Sequence, residues 1–175
     1  MSNVEVRQDN VLIEQIVSIV RKAVENSTLL SSEWLKNKGY TVVPVESACH
    51  FDEDDAENIA NAMTAIGYSG CLATPTEKLD NIPPLIEVHA SQAGLMEFSR
   101  QYGHYNMCLT TQDEAFLILC TVNDYFLVAG AKVFIEKAVG CTIEEAFERF
   151  YETAEDDWWK GRLKAVYDLY ASSKT

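Results

Sequence analysis

A cysteine beside a histidine, Cys49-His50, is the most reactive-looking pair in this sequence. A thiolate next to an imidazole is how cysteine hydrolases make a nucleophile. In an extended segment, however, neighbouring side chains point to opposite sides, and no hydrolase signature surrounds the pair. The pair therefore reads as part of a turn ahead of a helix. A second set, Glu87, His89 and His104 with Tyr102, could supply general acid-base chemistry. It would do so if folding brought the segment 85–90 beside the turn after Tyr102, which makes Glu87, His89 and His104 the catalytic candidates.

Metal chemistry has less behind it. The three histidines and five cysteines offer nitrogen and sulfur donors, but no two of them show the repeated local spacing of a structural zinc site. Asp52, Asp54 and Asp55 begin like a calcium loop. The loop's glycine position is Glu57 and its closing glutamate position is Met63, so the match fails where coordination needs it. The glycine-rich nucleotide motifs, the serine-hydrolase elbow and the H-E-x-x-H zinc motif are all missing. No metal and no cofactor is expected.

A third constellation joins charge to aromatic surface. The acidic run from Glu152 to Asp157 meets Trp158-Trp159. Flat aromatics beside carboxylates suit a docking point for a basic protein, since aromatic anchors and complementary charge recur at interfaces. Adjacent residues stand about 100° apart around a helix, so at least one of the two tryptophans should be partly exposed. Glu155, Asp156, Asp157, Trp158 and Trp159 are the partner-binding candidates.

The charge distribution points the same way. The chain has 27 acidic and 14 basic residues, a net charge of -13, and residues 51–157 alone carry -15. Such a field repels nucleic acid backbones and anionic membrane surfaces and favours a cationic partner. No apolar run approaches the roughly 20 residues that span a bilayer, and no basic segment leads into an apolar one at the amino terminus. Five scattered cysteines without a CxxC pair read as reduced thiols, so a cytoplasmic location is expected.

The elements that must position these groups follow from periodicity and punctuation. Asp9 or Asn10 caps a helix whose stripe is Ile13, Ile16, Val17, Val20 and Val24, running to about Asn26. A short helix from Ser31 ends at Gly39. The β-branched text Tyr40 to Val45 reads as a strand, with Pro44 placing it at an edge. Asp54 and Glu57 match a capping box for a helix ending at Gly67. Strands are expected at 68–74 and 85–90, then a helix from Gln92 to Tyr102 capped by Ser91. Three strands follow at 105–110, 115–122 and 125–129, the last two joined tightly by Asn123-Asp124, as an antiparallel meander covered by helices on both faces. A helix then ends at Gly140, Thr142 and Glu145 form a second capping box, and a last helix runs from about Asp156 to Ala171.

These elements predict a single α+β domain over 1–175. It would have a helical segment at 1–39, a core at 40–139 on a mainly antiparallel sheet of five to six strands, and carboxy-terminal helices at 140–175. Residues 54–139 read α-β-β-α-β-β-β-α, an order that resembles roadblock and profilin-like interaction modules without their sequence patterns, and element order alone carries no function. The preferred functional expectation is a non-enzymatic acidic interaction module that binds a basic protein partner, as immunity or secretion-chaperone proteins do. The rival is a small-molecule-binding protein or enzyme with a pocket over the sheet lined by His89, His104 and Glu87. Self-association through the end helices is a third possibility.

Overall fold

A computed structural model describes residues 2–156 and 161–172 of the chain. The elements are β1 (Val4–Val6), α1 (Asn10–Ala23), β2 (Val24–Glu25), β3 (Leu29–Leu30), α2 (Ser32–Lys38), β4 (Thr41–Glu46), α3 (Glu53–Ala65), β5 (Gly70–Pro75), β6 (Ile86–His89), α4 (Gln92–Tyr102), β7 (Met107–Thr110), β8 (Phe116–Cys120), β9 (Tyr125–Gly130), α5 (Lys132–Val139), α6 (Ile143–Asp156) and α7 (Gly161–Ala171). The architecture is α+β. Seven strands form an antiparallel sheet in the order β1-β6-β5-β7-β8-β9-β4, and β2 and β3 make a separate hairpin.

The meander β7-β8-β9 is the centre of the sheet, and every residue of these three strands is buried. Side chains alternate across a strand, so Phe116, Ile118 and Cys120 of β8 share one face while Leu117 and Leu119 share the other. On the first face Phe116 stacks on Phe134 of α5 with ring centroids 4.6 Å apart, and Phe126 meets Phe51 edge-on at 5.2 Å. Helices α3, α4 and α5 pack together on that side. On the opposite face, Ile16 and Ile19 of α1 pack with Leu72 and Leu85. Tyr170 of α7 reaches the buried backbone of Leu30, whose N–H donates to Oη at 2.8 Å. Continuous apolar strand text thus marks strands covered on both sides.

The two edges of the sheet differ. β4 pairs only with β9, and Pro44, which lacks a donor, sits on this outermost strand as expected. Helix α6 packs along β4, covering the edge. At the other edge lies β1, only three residues long.

Several boundaries depart from the sequence expectation for local reasons. The first helix stops at Ala23, because Asn26 and Ser27 take positive φ and turn the chain into the β2-β3 hairpin. The first 39 residues therefore contain strands as well as helices. The α3 capping box is formed two residues earlier than expected, by Asp52 with Asp55. The Thr142–Glu145 box is present, with Glu145 N–H donating to Thr142 Oγ1 at 3.2 Å and Thr142 N–H to Glu145 Oε2 at 2.9 Å. The β8-β9 connection is a three-residue loop, 122–124, closed by Thr121 and Tyr125, with Asp124 alone left-handed. The helix opened by Thr142 is α6, which reaches Asp156, and the expected last helix is present as α7 from Gly161 to Ala171.

Candidate functional site

The expected acid-base set is not assembled. His89 pairs with Gly70 at one end of β5, whereas Pro75 at the other end pairs with Met107, three residues after His104. Six strand residues separate the two ends by about 17 Å. The connection between them is α4, whose 11 residues carry the chain about 16 Å back along the sheet. The same helix that joins the two histidines in sequence holds them apart in space. Glu87 is paired with Arg7 at 2.7 Å and shares a shallow surface depression with His89, while His104 lines a different one beside Tyr105 and Asn106.

Cys49 and His50 also part company. Cys49 is exposed, and His50 is 1% exposed in a left-handed backbone conformation with φ of 56°. Its Nε2–H donates to the Tyr105 carbonyl at 2.8 Å, and its ring stacks on Phe98 with centroids 5.6 Å apart. The Nδ1 atom has no partner. Burial holds the imidazole well below its ordinary range, at a pKa of about 4, so the ring is neutral at neutral pH. A ring buried under aromatics, with Nε2–H engaged by the Tyr105 carbonyl and its thiol neighbour exposed, is not placed to take the Cys49 proton. Cys71, Cys108 and Cys120 are likewise inert: burial raises all three thiols above their ordinary range. Among the described residues no group of three or more His, Cys, Asp or Glu side chains could hold a metal ion.

The structure does assemble an acidic cleft that the sequence reading missed. Glu46 at the end of β4, Asp55 in the first turn of α3 and Arg149, Phe150 and Thr153 of α6 line a cavity of about 190 Å³. Burial is the main reason that the Asp55 carboxyl is pushed up to about 7, with Asp52 and Asp54 adding like charge. A sequence signal existed for this. Asp55 lies four residues before Ile59 and eight before Met63, both fully buried, so a carboxylate stands on the inward stripe of α3.

Helix α6 forms one wall of the cleft. Its inner stripe, Ile143, Ala146, Phe147, Phe150 and Ala154, is buried, and its outer side exposes Glu144, Glu148 and Glu152. These three carboxylates repeat every four residues, and none has a cationic partner among the described residues. Like charges at that spacing cost a helix about 0.2–0.5 kcal/mol per pair. At the start of α3, next to Asp55 in sequence, Asp52, Glu53 and Asp54 are exposed as well.

Of the residues expected to bind a partner, Asp157, Trp158 and Trp159 lie outside the described residues. Glu155 and Asp156 are the last two positions of α6, continuing the acidic helix. No family model, no curated protein and no solved structure matches the chain, so its function is argued from its own residues.

Proposed function

We propose that the chain is a non-enzymatic interaction module that binds a basic protein partner through the acidic cleft and the outer side of α6. The observation that carries this reading is the row Glu144, Glu148 and Glu152 on the outer side of α6, none with a cationic partner among the described residues, while in the cleft Glu46 and Asp55 face a single lining cation, Arg149. A basic surface laid along that row would gain charge complementarity that the described part of the chain does not supply there. Immunity and secretion-chaperone proteins act on basic partners in this manner. Trp158 and Trp159, which directly follow the acidic end of α6 in sequence, are proposed as aromatic anchors of the same interface. No helix among the described residues is long and apolar enough to cross a membrane. The five free cysteines suit a reducing compartment such as the cytoplasm.

The histidine set supports no competing enzyme reading, because His89 and Glu87 stand at the opposite end of the sheet from His104. Affinity capture from the native host tests the proposal, comparing the wild-type chain with a Glu148→Lys, Glu152→Lys double variant. A basic protein should be retained by the wild type, released as salt rises and lost by the variant. Capture that ignores both ionic strength and charge reversal would reject the reading.

A further inference from the structure

We propose that the groove between α1 and the segment following β5 is a binding site for a small apolar zwitterion, a hydrophobic amino acid or dipeptide. Its volume of about 420 Å³ falls in the range of small-molecule sites. Val20, 4% exposed, and Ile82, 9% exposed, form its floor with Val17 and Leu79. None of these residues belongs to the acidic cleft, so the site stands apart from the partner-binding proposal.

The walls are fixed without a ligand. Thr74 Oγ1 donates to the Pro84 carbonyl at 2.7 Å, tying the two ends of the 76–84 segment together. Thr76 N–H donates to the Asn106 carbonyl at 3.1 Å, and Ile82 N–H to the Leu79 carbonyl at 3.4 Å. A preformed site spends little binding energy on ordering itself.

Charge on the rim selects the ligand class. Arg21 stands on the α1 wall and Asp80 on the opposing segment, and neither has a hydrogen bond or ion pair among the described residues. Lys78 reinforces the cationic side, while the Glu77 carboxylate accepts a hydrogen bond from Ser27 Oγ. A purely anionic amphiphile would meet Asp80, and a purely cationic one would meet Arg21 and Lys78. A molecule with an apolar body, a carboxylate and an ammonium group places each charge against its opposite and buries its side chains on the valine floor.

Titration calorimetry with leucyl-leucine, its N-acetyl form and its C-terminal amide tests the site on the full chain. The free dipeptide should bind saturably at one site, with each capped form about tenfold weaker, the size expected for loss of one charge-assisted hydrogen bond. Arg21→Gln should erase the difference between acid and amide, and Asp80→Asn the difference between free and acetylated amine. Both side chains are exposed, so the variants should keep the wild-type unfolding midpoint. Absence of saturable binding, equal binding of the capped forms, or either variant retaining its discrimination would overturn the proposal.

Discussion

Two acidic turns in this molecule are built from the same residue types and behave oppositely. At the β7-β8 turn, Asp113 accepts hydrogen bonds from the Tyr68 hydroxyl and, at 2.7 Å, from Thr111 Oγ1. Glu114 accepts from Lys38 Nζ at 2.7 Å and from Trp34 Nε1 at 3.2 Å, and its carbonyl accepts from Tyr40 Oη at 2.6 Å. The Tyr68 and Thr111 hydroxyls lower the Asp113 pKa, the Tyr68 hydrogen bond most of all. At the start of α3, Asp55 has only the capping exchange with Asp52, and burial drives its pKa the other way. A carboxylate surrounded by donors is structural cement. One buried beside other carboxylates is held toward its neutral form.

The largest expected effect breaks the cemented turn. Glu114 has φ of 57°, a conformation that costs a residue bearing a Cβ roughly 1–2 kcal/mol and persists because its neighbours over-determine it. Glu114→Ala should lose about 2–3 kcal/mol in urea unfolding, from the lost charge-assisted hydrogen bonds. Glu114→Gly should recover about 1 kcal/mol of that by relieving the backbone. Equal stabilities for the two variants would show that the turn stores no strain.

The next effect is read against pH. His50, with a folded pKa of about 4 against an ordinary 6.5, contributes stability that is complete above pH 6.5 and lost as pH falls through 4. That contribution is at most about 3 kcal/mol. Asp55, raised from 3.8 to about 7, does the reverse: its contribution is complete below pH 3.8 and lost as pH rises through 7. Water at its partly exposed carboxyl reduces that to the order of 1–2 kcal/mol. The two slopes oppose each other between pH 4 and 6.5. Chemical unfolding of Asp55→Asn, which keeps an acceptor for the capping box, should steepen the rise in stability with pH over this window. His50→Asn, whose side chain tolerates positive φ, should turn the rise into a fall. An Asp55→Asn profile superimposable on the wild type would place Asp55 among the cemented acids.

The smallest effect concerns α6. Glu148→Gln removes repulsion toward both Glu144 and Glu152 and should stabilise the chain by about 0.4–1 kcal/mol, measured by thermal unfolding. The same substitution should weaken capture of the basic partner. A gain in stability with unchanged capture would assign the row to solubility alone.

What could be read in the sequence was what nearby residues decide. The helix starts at Ser31, Ser91 and Thr142, the apolar strands 116–120 and 125–130, and the edge position marked by Pro44 are consequences of local chemistry, and they lie where it puts them. The candidate sites depended on long-range closure. His89 and His104 are 15 positions apart and looked like neighbours, but the helix between them sets their distance. Trp34 and Glu114, 80 positions apart, are in contact. Asp55 and Arg149 line one cleft because α6 folds over β4, and no local pattern announces that crossing. The short β1 carries too little alternation to stand out: Val4 is buried, and Glu5 and Val6 are not.

The unequal edges of the sheet bear on how copies of the chain behave in a crowded solution. A strand is extended by a neighbouring molecule only where a row of backbone donors and acceptors faces outward. Along β4 that row is interrupted by Pro44 and roofed by α6. Along β1 it is three residues long, roughly 10 Å of ladder, and carries the charge of Glu5. A template that short gives an incoming strand little to zip onto. Fibre growth through this sheet is thereby discouraged by geometry as well as by net charge.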